Sequence, residues 1–289
     1  MKALDTIREI TRFLKVNGIE SSEREAEIFV RYGLNINAVE IYRDNPSLTR
    51  EQMGSAENMV ERRLRREPLQ YIIGYEEFMG LQLIVGPGVL IPRPETELMA
   101  DHAIQQLSNP GSQFTVLDMC TGSGCLALAV AKEFPSFKVF GTDISEVAID
   151  YANINAGING IKNAEFLSGS LFQPVEKMAS PSSGPFTFDL IISNPPYIKR
   201  DDIQFLQSEI RDWEPKIALD GGADGLEFYR KLRPAARDYL NNDGCIMFEL
   251  GAGQAESIAE MLSYSGYSQI EISEDLAGIE RIIQARWKR

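Results

Sequence analysis

Apolar side chains recur at helical spacing from the start of the chain. Leu4, Ile7, Ile10 and Leu14 share one helix face, and Met53, Ala56, Met59, Val60 and Leu64 form a second stripe that Pro68 stops. Ser22 with Glu25, and Thr49 with Gln52, have the spacing of capping boxes, in which side chains satisfy the free amides of a helix start. Residues 1–68 are therefore expected to form a small helical domain of about four helices. The mixed charges that close it, Glu61, Arg62, Arg63, Arg65, Arg66 and Glu67, read as a solvated helix face.

From Leu69 the period changes to two. Leu81, Leu83 and Val85 alternate with polar residues, and Gly80 and Gly86-Pro87-Gly88 are turn signals, so 69–92 reads as a hairpin linking two domains. Beyond it, strand patterns at Phe114–Met119, Lys138–Thr142, Ala164–Ser168, Phe188–Ser193, Gly244–Leu250 and Ile282–Arg286 alternate with helical ones such as Cys125–Phe134, Val147–Ala156 and Leu226–Tyr239. That alternation predicts βαβ units in an α/β domain over 93–289, with a doubly wound, mostly parallel sheet. Glu176–Pro185, rich in Ser, Pro and Gly, reads as a surface loop.

With 44% hydrophobic and 25% charged residues, the chain of 289 residues is globular in composition. No run nears the roughly 18 apolar residues of a membrane helix, and the amphipathic start MKALDTIREI is unlike a signal peptide, which points to the cytoplasm and away from membranes. Three cysteines and one histidine, His102, make no zinc spacing, so no metal is expected. Residues 1–70 carry twelve basic and twelve acidic groups, and the whole net charge of −13 falls after them. A basic footprint for phosphates is missing, which argues against a nucleic-acid partner.

FTVLDMCTGSGCLALAVA sets a strand, a glycine turn and an apolar helix in succession. Gly122, Gly124 and Ala127 meet the loose pattern G-x-G-x-x-A, which suits a nucleotide phosphate as well as a nucleoside. Asp118 discriminates: a carboxylate there would repel a pyrophosphate but suits a cofactor carrying an amino group and a sulfonium, such as S-adenosylmethionine. Asp143, ending the next strand pattern, stands where an acid accepts hydrogen bonds from ribose hydroxyls. Cys120, Thr121 and Ser123 complete the turn.

The strand FDLIIS runs into Asn194-Pro195-Pro196-Tyr197. Two prolines stiffen the loop and remove two donors. Methyl transfer to a flat, weakly basic amide or amine nitrogen needs acceptors for its hydrogens. The Asn194 side-chain carbonyl and the Pro195 backbone carbonyl can each take one, while Tyr197 can pack on the plane.

On these motifs the chain resembles the protein-(glutamine-N5) methyltransferases that modify the Gly-Gly-Gln loop of class 1 peptide chain release factors. YIIGYEEFMG, VLIPRPETE, DMCTGSG, TDIS, DLIISNPPYI, WEPKIALDGGADGLEFYR and FELGAGQ carry the resemblance. It implies a class I S-adenosylmethionine-dependent methyltransferase sheet of seven strands behind a helical substrate-recognition domain. It implies cofactor contacts at Cys120 to Gly124, Asp143, the Ser170 to Phe172 loop including Leu171, and Asn194. The substrate amide would meet Asn194 to Tyr197, with Arg93 and Glu97 beside the site. Cys120 and Ser170 depart from the family pattern, which commonly has glycine and an acid there.

Other readings remain open on the residues. The same Asn-Pro-Pro-Tyr chemistry serves adenine-N6 methylation of nucleic acid or glutamine methylation of a ribosomal protein. The glycine motif alone also fits a nucleotide-dependent oxidoreductase or a binding module. His102 reads as an exposed or capping residue, Trp213 as packed in a core, and Glu249 as pocket-lining, helix-capping or solvated.

Overall fold

The computed structural model describes residues 1–108, 113–178 and 186–288; residues 179–185 of the expected surface loop lie outside the described residues. The chain forms two compact units, Met1–Gly74 with Ser208–Trp213, and Tyr75–Gln207 with Glu214–Arg289.

The first unit holds α1 (Ala3–Val16), α2 (Ser22–Leu34), α3 (Ala38–Asp44), α4 (Arg50–Leu64) and α5 (Leu69–Ile73), with one turn from later in the chain, α10 (Ser208–Arg211). Leu14, Phe29, Val60 and Ile72 meet in one of its cores and Val30, Leu34 and Ile41 in the other. The box at Thr49 forms: its hydroxyl accepts from Gln52 N (3.2 Å), and its amide donates to the Gln52 side chain (2.9 Å). A second box, Asn37 with Glu40, starts α3 and was not expected.

The box expected at Ser22 does not form. Ser22 is already inside α2 and buried, and Glu25 turns instead to Arg63, at 2.7 Å. Both partners of that pair are buried, where a charge-assisted bond outweighs a surface cap. Arg63 also donates to Glu209 (2.9 Å), and Arg62 to Glu67 (2.5 Å). The expected solvated face at 61–67 is therefore partly an enclosed ion network, because Glu67 and Arg63 are buried. Trp213, expected in a core, is half-buried, and its indole N–H donates to the Arg65 carbonyl (3.2 Å).

The second unit opens with β1 (Tyr75–Phe78) and β2 (Leu81–Ile84), an antiparallel hairpin. Its turn residues Met79 and Gly80 both have positive φ, which matches the twist of the flanking strands. The segment read as a linker is shared out: α5 belongs to the first unit, while Phe78, Leu81 and Leu83 are fully enclosed in the core of the second. Then come α6 (Pro94–Leu107), β3 (Thr115–Met119), α7 (Cys125–Glu133), β4 (Lys138–Asp143), α8 (Glu146–Ile158), β5 (Ala164–Ser168), α9 (Gln173–Glu176), β6 (Phe188–Ser193), α11 (Glu227–Tyr239), β7 (Leu240–Glu249), α12 (Ala255–Tyr264), β8 (Ser268–Glu274) and β9 (Glu280–Trp287).

Seven strands form one sheet in the order β5-β4-β3-β6-β7-β9-β8, parallel through β7, with β9 antiparallel to both its neighbours. Side chains on alternate positions fill opposite faces. Val116, Leu190, Ile192 and Met247 pack in one core with α6, α7 and α8, while Leu117, Ile191, Ile246 and Phe248 pack in the other with α11 and α12. Because both faces are covered, the strands are apolar almost throughout. All six expected strands are present, but β7 begins at Leu240, four residues earlier than expected. β8, not expected, is an edge strand whose residues are mostly exposed, so SQIEISE needs few apolar side chains. Chain order reverses between β3 and β6, which opens a crevice at their carboxyl ends.

Candidate active site

The glycine turn between β3 and α7 requires left-handed backbone at Cys120 (φ 59°), Gly122 (φ 56°) and Gly124 (φ 83°). At Gly124 a Cβ would also stand 3.1 Å from Ala152 Cβ and from the Phe166 ring, so only glycine lets α7 close on the sheet. Cys120 adopts the same conformation with a side chain, at a cost of roughly 1–2 kcal/mol.

Asp118 is 1% exposed. Its Oδ2 accepts from the Thr121 hydroxyl (2.6 Å) and from Ala127 N (3.2 Å), whereas Oδ1 has no partner among the described residues. Burial raises its pKa to about 7, against the two hydrogen bonds that lower it. Asp143 ends β4; its oxygens accept from Gly122 N (3.0 Å) and Ser145 N (2.9 Å), and burial again lifts its pKa. Ser145, not Asp143, caps α8.

Around these carboxylates lies a cleft open to solvent. Of the residues picked from the sequence, Asp118, Cys120, Thr121, Gly122, Ser123, Asp143, Leu171, Asn194 and Pro196 line it; Gly124, Pro195 and Tyr197 do not. Gly124 serves as the cap of α7, and Pro195 is buried. The Tyr197 ring packs against the second core, and its hydroxyl donates to Glu249 (3.2 Å) rather than standing free over the cleft. Leu171 holds φ 51° in the loop after β5.

Residues to which the sequence assigned no role also line the cleft, among them Val89, Pro92, Thr96, Pro215, Ile217 and Phe228, all within the VLIPRPETE and WEPKIALDGGADGLEFYR segments. Thr96 lies one turn into α6 and is joined to the loop after β6: the Asn194 Nδ2 group donates to its hydroxyl oxygen at 3.2 Å. Thr96 in turn donates to Glu249 (2.7 Å). Glu249 is therefore neither solvated nor a helix cap but a buried acceptor behind the cleft, and burial raises its pKa. Arg93 bonds Glu214 (2.5 Å), and Glu97 accepts from Met79 N (2.8 Å) and so steadies the hairpin. His102 is half-buried on α6, away from the cleft.

A family model described as "PrmC N-terminal domain" matches residues 5–74, and one described as "Methyltransferase small domain" matches residues 96–210. A release factor glutamine methyltransferase of Thermodesulfovibrio yellowstonii is 45% identical over 286 residues, covering 98% of this chain and 97% of its own. Another, of Geobacter sulfurreducens, is 42% identical over 287 residues, covering 97% and 96%. The chain belongs to the release factor glutamine methyltransferase family. Its fold is also that of a solved ribosomal protein L11 methylase from Lactobacillus delbrueckii subsp. bulgaricus, with a TM-score of 0.51 and 23% identity over 71% of this chain and 84% of that one.

As a release factor glutamine methyltransferase family member, the chain is a methyltransferase. The oxidoreductase and binding-module readings of its glycine turn are set aside by that membership.

Proposed function

We propose that this enzyme transfers a methyl group from S-adenosylmethionine to the side-chain amide nitrogen of the glutamine in the Gly-Gly-Gln motif of class 1 release factors. The observation that carries this reading is the presence of Asn194 and two carboxylates in one cleft, at the point where strand order reverses.

The donor set fits the cofactor. Asp118 brings a buried oxygen without a partner, which an ammonium group would satisfy, and Asp143 keeps unused lone pairs for ribose hydroxyls. Thr121, Gly122 and Ser123 would line its other side, and Leu171 the adenine. When bound, S-adenosylmethionine supplies an electrophilic methyl on a positively charged sulfur.

The remaining work falls to the protein. Among the described residues no group donates to Asn194 Oδ1, so it is available to accept one amide hydrogen of a glutamine. Pro195, buried and not among the residues that line the cleft, stiffens the loop that carries Asn194. Pro196 lines the cleft beside them, while the hydroxyl bond from Tyr197 to Glu249 helps hold the loop. Fixing the nitrogen's plane and direction is the main source of rate, since alignment alone supplies about 7–11 kcal/mol in favourable systems. The acidic balance of the chain after residue 70 suits a protein substrate better than a nucleic acid, in the cytoplasm where release factors work.

The test is mass spectrometry of a release factor incubated with the enzyme and S-adenosylmethionine, beside a factor whose motif glutamine is alanine. One added methyl on that glutamine, absent from the variant factor, supports the reading. No methyl, with the cofactor bound, refutes it and turns the search to ribosomal proteins and then adenine. Asn194→Ala should lower turnover at saturating cofactor by at least about 100-fold, as loss of one preorganised hydrogen-bonding group does elsewhere.

A further inference from the structure

An Asn side chain presents a carbonyl on one side and an NH2 on the other, and the two differ little in shape. Only one orientation serves an enzyme that must accept hydrogens from a substrate amide. The loop itself, stiffened by Pro195 and Pro196, places the Asn194 backbone but does not choose between the two faces of its side chain.

The geometry points to Glu249 and Thr96 as positioning residues that set the Asn194 carbonyl toward the reacting amide. The inference rests on the reading of Asn194 as the substrate's acceptor. A threonine hydroxyl has a single hydrogen. Here it is committed to Glu249 Oε2 at 2.7 Å, so the hydroxyl oxygen can only accept from Asn194, and the group facing it must be Nδ2, at 3.2 Å. The Asn194 carbonyl is thereby turned the other way. Glu249 is well placed to impose this polarity. It is 1% exposed at the end of β7, and its second oxygen accepts from the Tyr197 hydroxyl at 3.2 Å. Its backbone carbonyl accepts from the buried Tyr229 hydroxyl at 2.7 Å, which holds the strand end in place. Glu249 does not line the cleft, while Thr96 and Asn194 do, so the acid acts through them and touches no substrate.

Three variants test the relay, each assayed for kcat, KM, cofactor affinity and thermal midpoint. Thr96→Val removes the hydroxyl at nearly constant shape and should lower kcat by at least about tenfold, with cofactor affinity within about twofold. Thr96→Ser keeps the hydroxyl and should restore kcat to within about threefold of the parent. Glu249→Leu frees the Thr96 hydroxyl to donate to the Asn194 carbonyl and turn it over; kcat should fall as in Thr96→Val, and the thermal midpoint reads separately the loss of the Tyr197 hydroxyl's acceptor. Parental kcat in Thr96→Val or in Glu249→Leu overturns the inference, as does a Ser variant as slow as the Val variant. Asn194→Ala, assayed beside them, separates the two ideas. If it remains active, the acceptor reading itself fails; if it is inactive while Thr96→Val is parental, only the relay fails.

Discussion

Replacing Asp118 by asparagine removes one charge from a side chain that is 1% exposed, and the structure lets both consequences be sized. The folded protein raises this carboxyl from its ordinary 3.8 to about 7. A raised acid contributes stability that is fully present below about pH 4 and is lost as the pH climbs through about 7. At 1.36 kcal/mol for each tenfold, ionised Asp118 costs the cofactor-free protein about 4 kcal/mol at pH 8, as an upper bound. Asparagine cannot ionise and still offers an oxygen to Thr121 and Ala127. Its NH2, standing where Oδ1 now lacks a partner, gives back about 1–3 kcal/mol. The Asp118→Asn protein should thus be more stable than the parent by about 1–3 kcal/mol at pH 8, a rise of several degrees in thermal midpoint. At pH 6 that advantage should shrink by about 1.4 kcal/mol. Binding should move the opposite way, because a charge-assisted bond to the cofactor's ammonium is lost; about 1.5–3 kcal/mol weakens affinity roughly 10- to 150-fold. Saturating cofactor should then reverse the order of the midpoints. Thermal unfolding at both pH values, with and without cofactor, and calorimetric titration measure all of this. A variant less stable than the parent at pH 8 without cofactor, or one that binds cofactor equally well, would refute the reasoning.

Further outcomes follow from the same site and its scaffold. In the parent, cofactor affinity should fall as the pH drops below about 7, since protonation of Asp118 discharges the partner of a cation; a flat titration between pH 6 and 8 contradicts this. Asp143→Ala removes an acceptor shared by Gly122 N and Ser145 N, so cofactor affinity should fall at least about tenfold in equilibrium titration. Cys120→Gly relieves left-handed strain of about 1–2 kcal/mol and returns about 0.5–1 as chain entropy; urea unfolding should show a gain near 0.5–1 kcal/mol, and a loss would count against the strain. Glu25→Ala leaves Arg63 enclosed with Glu209 as its remaining carboxylate, and should destabilise the helical unit by about 3 kcal/mol; a loss under about 1 kcal/mol would mean the pair is not enclosed.

Elements with strong period and local chemistry were readable directly. The stripe from Met53 to Leu64, the Thr49 cap, the β3 turn and the six apolar strands depend on neighbours within a few residues, so the sequence carries them locally. The edge strand β8 was not readable: one of its faces meets solvent, and Ile270 and Ile272 are too few apolar residues to mark a period. Ser22 and Glu25 had a capping pattern that a distant Arg63 overrode, because a buried ion pair binds more strongly than an exposed cap.

The site divides in the same way. Asp118, the glycines, Asp143 and Asn194 were legible because they sit at strand ends, where a parallel sheet delivers its ligand contacts. Thr96 and Glu249 stand in the VLIPRPETE and FELGAGQ segments, but their connection was not legible, since the link from Asn194 to Thr96 to Glu249 spans 98 and then 153 residues of sequence. Spacing along the chain was enough for the alternating strands and helices other than β8, for the acids and glycines at the strand ends, and for the family. Which polar groups meet behind the cleft emerged from the fold, because a hydrogen-bond partner is chosen by position in space and by burial, neither of which is written in spacing along a chain.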